Sequence, residues 1–251
     1  MPQNLDSISI FFPALNDEAT IGKLVVDAVA LLESLTSDYE VIVVNDGSTD
    51  STGAILDKLA GDSQNIKVVH HPTNLGYGGA LQTGFRSATK DLIFYTDGDG
   101  QYDVKEMERL LPSMIDGVDV VNGYKIKRSD GFRRKLSGAM YTMISRIFFR
   151  LPIRDVDCDF RLLRRAAIQK ISLTASSGAI CVELVHKLTS AGSVFREVPV
   201  HHYPRTHGKS QFFTPGRIAR TLFDFFVLWW SLVISRRWAF KPRPAEDSPV
   251  R

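Results

Sequence analysis

The chain reads as an α/β protein built on a mostly parallel sheet with helices on both faces. Three observations carry this. Short apolar runs alternate with amphipathic helical stretches through the first half of the chain. Each apolar run ends in a polar cluster. One of those clusters places two carboxylates, Asp97 and Asp99, directly after the run Leu92–Thr96.

The elements follow in order. Ile8–Ala14 is a first strand. Glu18–Leu35 has helical spacing, with Ile21, Leu24, Val25, Ala28, Val29 and Leu32 on one face. Glu40–Val44 is a second strand, followed by a helix over Ser51–Ala60. Ile66–His70 is a third strand and Gly79–Ala88 its helix. Leu92–Thr96 is the fourth, with a helix over Val104–Ile115, and Val118–Val121 is the fifth. Ligands of such sheets bind beyond the carboxyl ends of the strands. The clusters at 13–18, 45–50, 74–79, 97–101 and 122–124 are therefore expected on one rim. The second half reads as a helix over Arg133–Leu151, a helix over Gly178–Ala191, a strand over Val194–Tyr203 and an apolar helix over 214–240.

The run Asp97-Gly98-Asp99-Gly100-Gln101 concentrates charge. Two like charges so close raise each other's pKa unless a cation sits between them. A hard divalent ion with oxygen ligands is the usual remedy, and Gln101 offers a third, neutral oxygen. Asp and Gly are also ordinary turn residues, so the run alone leaves a solvent-edge turn open. Zinc is disfavoured by ligand type, since Cys and His are absent from the cluster.

Composition supports a folded enzyme-sized domain: 251 residues, 44% hydrophobic and 24% charged. Lys plus Arg number 31 against 28 acidic residues, a net charge of +3. The basic residues concentrate in 125–165 and 205–243, which suggests an anionic partner. No nucleic-acid motif accompanies them. Two cysteines, Cys158 and Cys181, are too few for a disulfide framework and fit a reducing compartment. The N-terminus lacks the charged start and apolar run of a signal peptide.

Taken jointly, six stretches resemble the family 2 glycosyltransferases of GT-A fold. They are Pro13-Ala14-Leu15-Asn16-Asp17-Glu18, Val43-Val44-Asn45-Asp46-Gly47-Ser48-Thr49-Asp50, Asn74-Leu75-Gly76-Tyr77-Gly78-Gly79-Ala80, the Asp97 run, Asp157-Cys158-Asp159-Phe160-Arg161-Leu162-Leu163-Arg164-Arg165 and Arg205-Thr206-His207-Gly208-Lys209-Ser210. Within that family the closer likeness is to polyprenyl-phosphate mannose or glucose synthases. The resemblance implies a catalytic domain over 1–213, with a nucleotide-sugar half to about 124 and an acceptor half from 125. It implies a hexose moved, with inversion, from a nucleotide sugar to a polyprenyl phosphate.

Site roles follow from the same resemblance. Pro13, Asn16 and Glu18 would lie against the nucleoside, and Asp46 would accept from a base N–H or ribose hydroxyl. Asn74, Gly76 and Gly79 would shape the loop over the donor. Asp97 and Asp99, with Gln101, would hold Mg²⁺ or Mn²⁺ against the diphosphate, and Arg205, Lys209 and Ser210 would reach it from a late loop. Asp155 and Arg161 match the family's acidic and basic catalytic positions. Arg128, Arg133 and Arg134, with Lys127, are candidates for the acceptor phosphate, where fork-shaped guanidinium groups suit best. Here the chain departs from the family pattern: Tyr124-Lys125-Ile126-Lys127-Arg128 stands where an arginine usually follows Asn122-Gly123. Asp159 also stands where glycine is usual, and Asp157 where glutamine is common.

The apolar run Leu222–Ile234 covers about 20 Å as a helix, short of a hydrocarbon core of about 30 Å. Arg217, Arg220, Arg236 and Arg237 flank it, and Trp229, Trp230 and Trp238 suit an interface. It is expected to lie on an anionic membrane surface, placing the protein on the cytoplasmic face, or to be buried at a dimer interface or under the domain. Residues 241–251 read as a disordered tail. Two rival readings stay open. One is transfer to a saccharide or other hydroxyl acceptor in cell-surface polysaccharide assembly, with Asp155 or Asp157 as the base. The other is a noncatalytic nucleotide-sugar-binding protein.

Overall fold

Strand β1, Ile8–Ala14, is buried along its whole length and lies inside the sheet. The computed structural model describes residues 7–126, 132–205 and 223–235, without the side chains of 132–139 and 141. Helix α1 (Ile21–Leu35) follows β1, then β2 (Tyr39–Asn45), α2 (Thr52–Asp62), β3 (Ile66–His70), α3 (Tyr77–Ser87) and β4 (Leu92–Thr96). β5 is Val120–Ile126, α4 Phe132–Phe149, β6 Phe160–Arg164, α5 Arg165–Gln169, α6 Ile180–Ser190 and β7 Phe195–His201. The seven strands form one sheet in the order β3-β2-β1-β4-β6-β5-β7. β6 pairs antiparallel with both β4 and β5, and the other pairings are parallel. β4 and β5 therefore still point the same way, and the clusters after β1, β2, β3 and β4 share one rim, whereas 122–124, expected beyond a strand over 118–121, lies inside β5.

Side-chain alternation sorts the core onto the two faces of the sheet. Ile10, Phe12, Val41, Val43 and Phe94 pack with α1 on one face. Phe11, Ile42, Ile93 and Tyr95 pack with α3 and α6 on the other. Phe11 stacks on Tyr95 with ring centroids 5.3 Å apart. α3 approaches β1 closely at Gly84, where a Cβ would come within 2.3 Å of the Phe11 ring. A third cluster joins Phe149, Leu151 and Ile153 to α6 and to Leu228 and Leu232 of the helical stretch 223–235.

Further elements differ from expectation, among them three that bear on the site. The stretch expected as a helix over 104–115 is two 3₁₀ turns, Val104–Arg109 and Leu111–Ser113. Pro112 supplies no backbone N–H, which disfavours a continuous helix. β6 does not stand out in the sequence because Phe160-Arg161-Leu162-Leu163-Arg164 carries an arginine at its second position. That arginine is fully buried. α1 begins at Ile21 and not Glu18, since Asp17–Thr20 form a turn that closes on the rim.

One buried ion pair holds a loop that matters for the rim. Lys187 Nζ lies 2.6 Å from Glu183 Oε1 and donates to the Ser172 carbonyl at 2.7 Å. Glu183 also accepts from the backbone N–H groups of Thr174 and Ala175. The adjoining Ser176 carbonyl accepts from Gly78 N–H at 2.9 Å. Removing one partner of such a pair strands the other charge in the core. Lys187→Met should lower unfolding free energy by about 3–5 kcal/mol in urea titrations. A loss under about 1 kcal/mol would show that the pair is not a structural anchor.

Candidate active site

The first two loops of the rim are tied to each other. Asn16 adopts φ +56° and donates its backbone N–H to Ser48 Oγ at 2.9 Å. Its side-chain oxygen accepts from Thr49 N–H at 2.8 Å. Glu18 accepts from Ser51 N–H at 2.9 Å, and Asp17 N–H donates to Thr52 Oγ1 at 2.9 Å. Pro13 is buried, and its carbonyl accepts from Gly98 N–H at 3.2 Å. Residues expected against the nucleoside thus also hold the loops after β1, β2 and β4 in place.

Asp46, 3% exposed, organises the third loop. Its carboxylate accepts from Leu75 N–H at 2.9 Å and Gly76 N–H at 3.0 Å, and pairs with His71 Nδ1 at 2.6 Å. It does not cap α2, which begins after Ser51. Gly76 has φ +86°, and a Cβ there would meet the Ser176 carbonyl at 2.5 Å. Only glycine fits that conformation and that approach. Asn74 accepts from Gly76 N–H at 2.9 Å, and Gly79 packs where a Cβ would meet Leu75 at 2.7 Å.

Asp97 and Asp99 sit at the end of β4, both partly buried. Burial pushes the Asp97 carboxyl well above the usual range, and Asp159 and Asp99 push it further. Tyr77 donates to Asp97 Oδ1 at 2.7 Å, and Lys125 opposes the rise. Arg205 pairs with Asp99, which also accepts from Gln101 N–H at 3.0 Å. The Gln101 amide donates to the Tyr203 carbonyl at 3.1 Å, joining the Asp97 loop to the end of β7.

This donor set fits a hard divalent cation. A desolvated carboxylate with a second one two residues away is relieved by positive charge, and both are oxygen ligands. Among the described residues, no group of three or more His, Cys, Asp or Glu is placed to hold a metal alone. A diphosphate would have to supply the remaining oxygens. The Nε of Arg205 is buried without a hydrogen-bond partner among the described residues.

Arg161, opposite Tyr95 of β4, is fully buried. Its Nε donates to Asn122 at 2.5 Å, one terminal nitrogen to the Val156 carbonyl at 2.5 Å, and the other to Asp159 at 3.3 Å and to Tyr95. The structure therefore places this expected catalytic arginine inside the sheet, as a counter-charge to Asp159. Asp155 is 8% exposed and accepts from Lys125 N–H at 3.3 Å. Asp157 is exposed and pairs with Lys125 Nζ at 3.2 Å. Asp155, Lys125 and Tyr124 line a cavity of about 570 Å³ together with Arg146, Ile147 and Arg154. Arg146 and Arg154 were not among the residues singled out from sequence, because neither stands in a recognised motif.

Several expected residues are not brought into this picture. Lys127, Arg128, Lys209, Ser210, Arg217, Arg220, Arg236, Arg237 and Trp238 lie outside the described residues. Arg133 and Arg134 fall in α4, with side chains outside the description. His202, a residue of the rim that could pass for a solvated loop histidine, is 9% exposed and packs edge-on against Tyr102 at 5.1 Å. Cys158 and Cys181 are buried free thiols. The apolar helix expected over 214–240 is described for 223–235, where Phe223, Phe226 and Trp230 are exposed.

Asp17 is a site residue that the sequence did not single out. Burial, and then the charge of Asp99, raise its pKa to about 6 against the lowering by Leu15 N–H and Arg205. Its folded pKa exceeds the unfolded one, so ionising it opposes folding. The cost is absent below about pH 4, grows as pH rises and is complete above about pH 6. Its upper bound is about 3 kcal/mol, lowered by solvent screening. In chelator, Asp17→Asn should raise the melting temperature at pH 7.5, with the gain shrinking toward pH 4. An equal gain at both pH values would rule out titration of Asp17 as its source.

Comparison with known proteins now adds to the geometry. A curated relative, undecaprenyl-phosphate 4-deoxy-4-formamido-L-arabinose transferase of Pseudomonas fluorescens, is 27% identical over 228 residues. The match covers 90% of this chain but only 66% of that protein, so its whole activity does not carry over. Glucosyl-3-phosphoglycerate synthase of Mycobacterium tuberculosis bound to uridine diphosphate superposes with a TM-score of 0.68 at 16% identity, covering 89% of this chain and 80% of that one. The same enzyme with Mn²⁺, uridine diphosphate and glucosyl-3-phosphoglycerate gives 0.67 at 20% identity, covering 90% and 79%. At these identities the likeness establishes the fold, which is the GT-A type expected. Several neighbours are Mn²⁺ complexes, which supports the divalent cofactor, Mg²⁺ or Mn²⁺. Neighbours that carry phosphoglyceric acid as ligand overturn the closer likeness to polyprenyl-phosphate sugar synthases. With it go the polyprenyl phosphate acceptor, the membrane surface as partner and the placement on the cytoplasmic membrane face. Among the described residues no helix is long and apolar enough to cross a membrane. The model of glycosyl transferase family 2 matches residues 9–172, and the chain belongs to that family of glycosyltransferases.

Proposed function

We propose that the protein transfers a hexosyl group, glucosyl in type, from a uridine-diphosphate sugar to the hydroxyl of a small phosphorylated acceptor of the phosphoglycerate kind. The observation that carries this is Asp155, a buried carboxylate in the wall of a cavity that shares Lys125 with the carboxylate pair. The charge of Lys125 acts on Asp97, and its backbone N–H donates to Asp155 at 3.3 Å. A hydroxyl acceptor, unlike a phosphate oxygen, needs a base, and Asp155 is the buried carboxylate at hand. The structural neighbours solved with uridine-diphosphate-glucose and phosphoglyceric acid supply the substrate class.

The chemistry is one displacement. Asp155 takes the hydroxyl proton as the acceptor oxygen bonds to the anomeric carbon. The bond from that carbon to the diphosphate oxygen breaks, its electron pair leaves with the nucleoside diphosphate, and the anomeric centre inverts. Mg²⁺ or Mn²⁺ held by Asp97 and Asp99 would stabilise charge on the departing diphosphate. Arg205, already paired with Asp99, adds positive charge beside it. Asp46 and the loops it ties keep the donor pocket in shape before substrate arrives.

Two measurements test this. With uridine-diphosphate-glucose and Mn²⁺, release of uridine diphosphate should require 3-phosphoglycerate or a similar phosphorylated hydroxy compound. EDTA should abolish release, and Asp99→Ala should reduce it about 100-fold or more. Asp155→Asn should lower kcat by a factor of about 10²–10⁴ while uridine diphosphate binds as before. Turnover with polyprenyl phosphate and none with hydroxy compounds would overturn the reading, as would an Asp155→Asn variant of full activity.

A further inference from the structure

The cavity beside β5 carries more information than its one carboxylate. Its volume, about 570 Å³, lies in the range of small-molecule sites. Positive and negative groups occupy its wall together: Arg146 from α4, Arg154 from the turn after it, and Asp155 next to Arg154 in sequence. Ile147, also of α4, adds apolar surface. We infer that this cavity is the acceptor subsite, in which Arg146 and Arg154 bind a phosphate monoester and so orient the acceptor's hydroxyl toward Asp155. The inference rests on the hydroxyl-transfer reading above and adds the residues that select the acceptor.

The geometry of Arg154 supports this. Its guanidinium lies over the Tyr124 ring, 5.2 Å from the centroid, and its Nε is 3.4 Å from Glu197 Oε2. Ring and carboxylate together fix the plane of the guanidinium. A guanidinium has five N–H groups, more than one carboxylate at Nε can use, and its fork matches phosphate oxygens. Arg146 is exposed on the same wall, one helical turn before Arg150, where α4 has ended. Cations near a helix C-terminus are favoured there, so the position costs the fold little. Asp155 supplies the polarity of the site. An ionised carboxylate repels a phosphate; Glu197 takes the Nε side of Arg154, so the anion is left the terminal nitrogens of Arg154 together with Arg146, and the neutral hydroxyl the Asp155 end. A ligand with phosphate at one end and hydroxyl at the other satisfies both walls; an unphosphorylated hydroxyl compound satisfies one.

The test compares wild type, Arg146→Gln, Arg154→Gln and the double variant. Both side chains are exposed, and the Arg154 backbone N–H keeps its 2.6 Å bond to Glu197 in the variants, so all should fold. Calorimetric titration of 3-phosphoglycerate and of glycerate, with uridine diphosphate and Mn²⁺ present, reads affinity without turnover. Wild type should prefer 3-phosphoglycerate at least tenfold. Each single variant should weaken it about tenfold, the double variant should erase the preference, and uridine diphosphate affinity should stay within twofold. A short polyprenyl phosphate in detergent separates a lipid from a free source of the phosphate. Competition by it that depends on both arginines supports a phosphate-monoester subsite filled by lipid. Unchanged phosphate preference in the double variant overturns the subsite, even where wild type glycosylates hydroxy compounds. Arginine-dependent binding without any hydroxyl transfer keeps the subsite and refutes the transfer reading instead.

Discussion

The contact between Arg161 and Asp159, at 3.3 Å and fully buried on the arginine side, sets the electrostatic terms for the rim. Asp97, Asp99, Asp17 and Asp159 crowd one end of the sheet, and each carboxylate raises the cost of ionising Asp97 or Asp17. A buried charge without a partner costs several kcal/mol. Arg161 avoids that cost by spending its donors on four acceptors: Asn122 of β5, Tyr95 of β4, Asp159 and the Val156 carbonyl. It thereby ties two strands that β6 separates. The antiparallel β6 is what brings its side chain there, since Arg161 stands opposite Tyr95 on one side and Asn122 on the other.

The same arrangement explains why Asp159 is tolerated. A glycine at that position would leave Arg161 with one acceptor fewer. In this chain Asp159 also receives the Cys181 thiol at 3.1 Å and the Tyr95 hydroxyl at 3.4 Å. The extra carboxylate is thus embedded in a network that includes its counter-ion. Its residual effect falls on Asp97, whose carboxyl it raises. A cation bound at Asp97 would reverse that effect, so this acidic centre is at rest a site that favours positive charge.

Much of the first half was legible because its signals are local. Apolar runs such as Leu92–Thr96 alternate with helical stripes such as Ile21, Leu24, Val25 and Ala28, and both periods survive in the structure. The donor loops could be read because glycine and aspartate at fixed offsets leave few conformations open, as Gly76 at φ +86° shows. The second half was less legible for physical reasons. β6 buries an arginine, which inverts the usual pattern of apolar inside and charged outside. Arg146 and Arg154 are eight residues apart on a helix and the turn beyond it, and only the fold brings them to one cavity with Tyr124. Asp17 looks like one more polar loop residue, and its perturbation comes from burial and then from Asp99, some eighty positions away in sequence.

The acceptor assignment turned on a similar point. An arginine-rich second half fits any anion, so composition alone could not separate a phosphate that reacts from a phosphate that is merely held. The two cases place different demands on the protein. A reacting phosphate oxygen is already ionised and needs only cations around it. A reacting hydroxyl must lose a proton, so it needs a carboxylate close by, and its phosphate must be kept away from that carboxylate. The wall of the β5 cavity has both features, with Asp155 set between Lys125 and Arg154. A buried carboxylate and two exposed guanidinium groups in the wall of one cavity are the structural argument for an acceptor that is bound at one end and attacked from the other.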